Sequence, residues 1–350
     1  MTTFYFIQFA TNVAFVSVLI FIPLIAKDCG ANSATIGALV AAYNGMLFLS
    51  SALFGRLADL KGGKVFILIG LFFSAVVFFS HRFIFNITSL FFIRCLAGFA
   101  IGMFPAAILA AVYRRNTNIG AFTASGSLGW TVGSIVAGVI AVYKNLFLFS
   151  AICFFVSFFV ALLFLKQENV RIKQPFFDAA LFKKNWRIYL SFFLRHSGAF
   201  GIWTIFPLFL AELGANKLWI GIIYGLNSLG QFFFMLYLGK VKSTKLIQMG
   251  LYFSIATFIA FGLCHTYKQI LPFQLLLAFS WSCLYLGCLK YLMERNEEHS
   301  SVAGIFNSLT GLAGIVGPLI GGMAGIFGYP MVMFVAALMS IAGAFIKINP

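Results

Sequence analysis

Twelve times along this sequence an apolar run of roughly 17–25 residues, enough to cross ~30 Å of hydrocarbon as a helix, ends at a short polar link. The runs cover 4–26, 34–54, 64–81, 88–112, 120–143, 145–165, 188–211, 218–239, 246–264, 269–290, 302–326 and 329–346. A backbone in lipid must satisfy its own hydrogen bonds, so helices are expected throughout. Charged residues make up only 9% of the chain, against about 25% in soluble domains. That leaves too little polar surface to face water all round. Residues 4–26 are too long for a signal-peptide core and lack a small-residue cleavage site, so they are expected to stay as the first helix.

The net charge of +16 would suggest nucleic acid in a soluble chain, but the basic residues have another pattern. Even-numbered links carry Arg56, Lys61 and Lys64, then Arg114 and Arg115, then six bases over 166–187, then Lys240, Lys242 and Lys245, then Lys290 and Arg295. Odd-numbered links hold at most one base each, such as Lys27 or Lys217. The positive-inside rule then places both termini and the even links in the cytoplasm, and no nucleic-acid partner is expected. The six cysteines form no CxxC and have no histidine at ligand spacing, so no metal is expected and they read as packing residues.

A constant offset of 184 residues superposes one half of the sequence on the other. Pro23 falls on Pro207, Gly30-Ala31-Asn32 on Gly214-Ala215-Asn216, Gly37 on Gly221, His81 on His265, Gly133 on Gly317 and Gly138 on Gly322. The polar stretch 167–186 then reads as a cytoplasmic linker between halves 1–166 and 187–350. The fold expected is all-α and integral to the membrane: twelve transmembrane helices as two parallel six-helix bundles related by a pseudo-two-fold axis.

With those features in place, Gly55-x-Leu57-Ala58-Asp59-x-x-Gly62-x-Lys64, taken as a tight ten-residue hairpin, resembles the signature loop between helices two and three of the major facilitator superfamily. It departs from that pattern at Leu60 and Gly63. The resemblance implies a cytoplasmic latch in which Asp59 faces Arg114 or Arg115 at the foot of helix four, or else simply caps the next helix. The second copy, Gly239–Lys245, lacks the acid, so the latch is expected to be one-sided.

Two further motifs bear on direction. Arg94-x3-Gly98-x3-Gly102 is similar to the family's fourth-helix motif, whose arginine the resemblance implies is buried and linked to proton transfer. Gly120-x8-Gly129-x3-Gly133-Ser134-x2-Ala137-Gly138 is similar to the helix-five motif of the drug–proton antiporter branch, with Ser134 and Ala137 replacing its Pro and a Gly. Gly317-Pro318-x2-Gly321-Gly322 in helix eleven keeps both features. These glycines suit close helix packing as well as a directional role.

Polar residues inside spans are expensive and by default face a cavity. Those expected on the substrate or proton pathway are Asn12, Tyr43, Asn44, Arg94, Arg195, His196, Asn227, Gln231, Trp281 and Tyr285. Arg195 could instead snorkel to the cytoplasm, and His196 is either a packing residue or a proton site. No Asp or Glu lies mid-span, which argues against dicationic substrates. Two buried arginines suit a neutral or anionic one.

The function expected is secondary transport of a small solute by alternating access, leaning to proton-coupled efflux of small amphipathic compounds. Uptake of a neutral or anionic metabolite is the alternative. A membrane-embedded enzyme or a non-transporting sensor is more remote, since no nucleophile–base set, metal motif or phosphate loop is present. The expected setting is a monomer in the plasma membrane with no cofactor, a proton being the candidate coupling ion.

Overall fold

In the computed structural model, residues 2–114, 119–166, 179–297 and 299–348 are described. They are all helical, with no strand among them. In chain order the helices are α1 (Thr2–Leu19), α2 (Ile22–Asp28), α3 (Ser33–Lys61), α4 (Gly63–Ser80), α5 (Ile87–Gly102), α6 (Pro105–Arg114) and α7 (Ile119–Ile140). There follow α8 (Tyr143–Phe164), α9 (Ala179–Glu212), α10 (Lys217–Leu238), α11 (Ser243–Gly262), α12 (Tyr267–Arg295), α13 (His299–Ala324) and α14 (Tyr329–Phe345). Ten helical segments among the described residues are long and apolar enough to cross a membrane, and α14 is apolar but shorter. The 34-residue α9 covers the seventh expected span and carries Lys183, Lys184, Arg187 and Arg195 along its length.

A proline stands at each break in a span, but not every proline makes one. Two expected spans are each divided, 4–26 into α1 and α2 and 88–112 into α5 and α6. Pro23 stands in the first turn of α2 and Pro105 opens α6, where a missing N–H costs nothing. Pro207, Pro272 and Pro318 stay inside unbroken helices.

The repeated Gly-Ala-Asn triplet has a physical basis. Gly30 and Gly214 take φ of +83° and +86°, the left-handed conformation that ends a helix. Ala31 N–H then reaches back to the Ala26 carbonyl and Ala215 N–H to that of Leu210, at 3.0 and 2.9 Å. Two residues on, Asn32 Oδ1 accepts Thr35 N–H at 2.9 Å, and Asn216 Oδ1 accepts Trp219 N–H at 3.0 Å. Each asparagine caps the next helix, satisfying a donor the first turn leaves open. A reciprocal Asn86–Ser89 box starts α5 in the same way.

The signature stretch is not a ten-residue hairpin. Helix α3 runs through it to Lys61, and the reversal is made at Gly62 alone, with φ of +92°. Gly62 N–H closes the last turn onto the Ala58 carbonyl at 2.9 Å. Gly63 then opens α4, and Lys64 Nζ donates to the Leu162 carbonyl at the end of α8, 3.2 Å away. A cation is favoured at that helix C-terminus.

The chain divides into two compact units. The first contains residues 1–31, 42–174 and 216–225, and the second 32–41, 175–215 and 226–350. The start of α3 is therefore grouped with the second unit, and the start of α10 with the first.

Candidate functional site

Glycines build the first unit's polar centre. A Cβ on Gly98 would stand 2.2 Å from the Tyr43 carbonyl oxygen, and one on Gly102 2.6 Å from that of Leu47. Only glycine at both positions lets α5 lie this close to α3. The approach lays the Arg94 guanidinium over the Tyr43 ring, 3.9 Å from its centroid. Both side chains are buried, and Arg94 Nη1 and the Tyr43 hydroxyl have no hydrogen-bond partner. Tyr43 stacks on Phe15, whose edge meets Trp130. His81, also buried, pairs its Nδ1 with the Val77 carbonyl at 2.8 Å and leaves Nε2 unpartnered. Asn44 is half-buried one position from Tyr43.

Helix α7 packs on α1 through the motif that resembles the antiporter signature. Cβ atoms on Gly129 and Gly133 would stand 2.6 and 2.8 Å from the carbonyls of Phe9 and Val13. Asn12 meets this seam and donates Nδ2 to the Gln8 carbonyl at 2.7 Å. The second unit repeats the seam at the same offset, since a Cβ on Gly317 would stand 2.3 Å from the carbonyl of Ser197. Gly321 likewise lies against Gly201.

The same offset governs the starts of α3 and α10. In the second unit a Cβ on Gly37 would clash with the Pro318 carbonyl and the Gly322 Cα, at 2.3 and 2.9 Å. In the first unit a Cβ on Gly221 would likewise meet the Ser134 carbonyl and the Gly138 Cα, at 2.4 and 3.0 Å. One turn earlier, Ser33 Oγ donates to the Gly325 carbonyl, and Lys217 Nζ to that of Ala141.

In the second unit Arg195 does not snorkel. It is 1% exposed, with Nε donating to Ser254 Oγ at 2.8 Å and Nη2 to Ser280 Oγ at 3.4 Å. The guanidinium also lies 5.3 and 5.5 Å from the rings of Phe258 and Trp281. His196 stacks on Trp281 at 4.6 Å with 14° between the planes. Phe192 and Phe200 flank it at 4.9 and 4.8 Å, and both ring nitrogens lack hydrogen-bond partners. Trp281 continues to Tyr285 and on to Phe306, a wall on which Trp281, Tyr285 and Phe200 are half-buried.

Asn227 and Gln231 meet through Gln231 Nε2 and Asn227 Oδ1 at 2.7 Å, and Asn227 Nδ2 reaches the Gln274 carbonyl at 3.2 Å. Gln274, a residue sequence reasoning missed, is wholly buried there. Its only sequence signal is a carboxamide inside an apolar run. Ser254 and Ser280 were missed for a similar reason, since serine is common in membrane helices.

On the side of the signature stretch, Gly55 lies 3.3 Å from the Ala106 methyl by its would-be Cβ. The side chains of Asp59 and Arg114, the surroundings of Gly120, and all of Arg115 lie outside the described residues. The second copy of the stretch makes contacts of its own. Lys290 Nζ donates to the carbonyls of Gly239 and Val241 at 3.2 and 3.0 Å, while Glu294 Oε2 accepts from Ser243 at 2.7 Å. That link holds no acid, but α12 supplies one.

A family model described as Major Facilitator Superfamily matches residues 4–318 of this chain. The quinolone resistance protein NorA of Staphylococcus aureus (strain COL) is 23% identical, the match covering 86% of this chain and 83% of that protein. The multidrug resistance protein MdtG of Salmonella schwarzengrund (strain CVM19633) is 24% identical, over 94% and 89% of the two chains. The nucleoside transporter NupG shares the fold with a TM-score of 0.81 at 15% identity, covering 98% of this chain and 97% of that one. A bacterial homologue of the human lysosomal transporter Spinster, inward-facing and unoccupied, gives 0.79 at 12% identity over 98% and 94%.

Proposed function

Because this chain belongs to the Major Facilitator Superfamily and is a membrane transporter of that family rather than an enzyme, we propose that it exports small amphipathic compounds across the plasma membrane in exchange for protons. The observation that carries the reading is the half-buried aromatic wall of Phe200, Trp281 and Tyr285 around His196. Such a wall offers large apolar contact with little directional demand, which suits varied planar amphipathic solutes. The relatives named for quinolone and multidrug resistance support the same direction. The proposal keeps twelve spans with both termini in the cytoplasm, halves at 1–166 and 187–350 joined by 167–186, alternating access, a monomer, and no cofactor besides the coupling proton.

Asn12, Tyr43, Asn44, Arg94, Arg195, His196, Asn227, Gln231, Trp281 and Tyr285 are proposed as the pathway. Arg195, turned onto the serines of α11 and α12, acts there by positioning Trp281 rather than by touching solute. Uptake of an anionic metabolite is the second reading, and it rests on Arg94, a buried cation with an unpartnered Nη1.

The test is accumulation of a neutral amphipathic dye such as Nile red in cells with and without the protein, followed by proteoliposomes under an imposed pH gradient. Export lowers accumulation, and collapsing the gradient abolishes the difference. Accumulation that rises on expression rejects the export reading.

A further inference from the structure

The second unit holds a run of carboxamides, of which the pathway above takes in Asn227 and Gln231 but not Gln274. Gln231 is half-buried, Asn227 nearly fully buried, and Gln274 wholly buried. Gln231 Nε2 donates to Asn227 Oδ1 at 2.7 Å, and Asn227 Nδ2 to the Gln274 main-chain carbonyl at 3.2 Å. Ser282 Oγ lies 3.5 Å from the Gln231 carbonyl. Close approach of α10 and α12 sets the geometry, because a Cβ on Gly230 would stand 3.0 Å from the Ala278 methyl.

The chain of bonds ends on the main chain of Gln274 and leaves its side chain out. Neither Nε2 nor Oε1 of that side chain has a partner, although both are buried. Buried polar groups are almost always paired, and in lipid an unpaired one is especially costly. Leucine or methionine would fill the same volume without that cost. Local features that lower stability without structural return concentrate at functional positions. Asn227, Gln231, Gln274 and Ser282 are all uncharged, so a charged ligand group would find no counter-charge among them. A primary amide or a lactam matches what is free: its N–H and C=O lie on the same side, so the N–H meets Oε1 and the C=O meets Nε2.

Resting on the export reading, we propose that Gln274 is a specificity residue for substrates carrying a primary amide or a lactam. The aromatic wall binds the apolar body of such a solute, and Gln274 reads its amide.

The experiment compares 2-naphthamide with N,N-dimethyl-2-naphthamide, which keeps the rings and the carbonyl but has no N–H. Binding is read as thermal stabilisation of the purified full-length protein. Wild type is expected to bind the primary amide about tenfold or more tightly than the dimethyl amide, the effect of losing one bond and stranding its buried acceptor. Gln274→Met is expected to melt a few degrees higher without ligand and to bind both compounds equally. Equal stabilisation of wild type by the two compounds, including none, overturns the proposal, as does discrimination that survives in Gln274→Met. Should that variant not fold, the wild-type pair still decides. Export of the same neutral dye by wild type is measured alongside. Its absence would reject the export reading while leaving the amide result to stand or fall by itself.

Discussion

Lys217 Nζ donates to the carbonyl of Ala141 at 2.9 Å and sits 3.8 Å from the centroid of the Tyr143 ring. At the positions 184 residues away, Ser33 makes the equivalent bond to Gly325 at 3.2 Å. The geometry is shared but the chemistry is not. An ammonium on a carbonyl and an aromatic face is worth about 1.5–3 kcal/mol, whereas a neutral hydroxyl bond is worth about 1. Lys217→Met is therefore expected to lower the melting temperature more than Ser33→Ala. Equal losses in thermal melts of the two variants would show that the symmetric register matters and the charge does not.

Ala141 itself has φ of +54°, the one non-glycine residue with positive φ among those described. The left-handed region costs an L-residue about 1–2 kcal/mol. Ala141→Gly removes that strain but adds backbone freedom to the unfolded chain, so a net gain of about 0.5–1 kcal/mol is expected. A melting temperature that falls in this variant would mean that the alanine methyl makes a packing contact worth more than the strain.

The glycines divide into two classes by what surrounds them. Gly45 has nothing within 4 Å of its would-be Cβ, whereas that of Gly98, on the helix packed against α3, meets the Tyr43 carbonyl at 2.2 Å. Gly45→Ala should stabilise by about 0.5–1 kcal/mol through helix propensity. Gly98→Ala should cost about 1–3 kcal/mol by forcing α5 off α3, and should lift Arg94 away from the Tyr43 ring. Denaturation of both variants checks this. Loss of stability in Gly45→Ala, or none in Gly98→Ala, contradicts the packing described.

Much of this was readable from residues alone, for identifiable reasons. Gly30, Gly37, Gly133 and Asn32 recur at one offset because each meets a backbone demand that few residues satisfy: a positive φ, a close helix approach, or a cap. Charge is similarly legible, because any ionised side chain inside an apolar run requires a reason. Two kinds of feature were not legible. Arg56, Leu57, Ala58 and Leu60 are good helix formers, so α3 continues through a stretch whose charge and glycines suggest a loop. The other kind is partnership. An apolar run containing Ser254 or Gln274 does not reveal that one meets Arg195 and that the side-chain amide of the other has no hydrogen-bond partner.

Arg195 gives a test of what a buried charge contributes. Its two hydroxyl partners also donate to main-chain carbonyls, Ser254 to Gly250 at 2.6 Å and Ser280 to Leu277 at 3.0 Å. Removing the guanidinium therefore strands neither serine. Replacing a buried ion by an apolar residue of similar length is commonly neutral or stabilising, so Arg195→Met should fold with a melting temperature at or above that of wild type. Transport should nevertheless fall, with KM rising more than kcat drops, because Trp281 loses the cation that lies 5.5 Å from its ring. Unfolding of this variant would mark Arg195 as a purely structural residue.

Two contacts hold the link between α10 and α11 to α12. Lys290 grips the carbonyls of Gly239 and Val241, and Glu294 accepts from Ser243 at the start of α11. The Lys290–Glu294 pair is 3.9 Å apart and both side chains are partly exposed, so their mutual attraction is small. The holding force is the ammonium on two main-chain oxygens, where charge-assisted bonds are the stronger kind. Lys290→Met should slow transport in proteoliposomes and lower the melting temperature, as Lys217→Met does, while leaving substrate affinity nearly unchanged. Glu294→Gln should do less, since an amide oxygen still accepts from Ser243. If Lys290→Met weakens substrate binding in step with rate, or if Glu294→Gln is as damaging, this contact merely joins α12 to the preceding link and takes no part in the transport cycle.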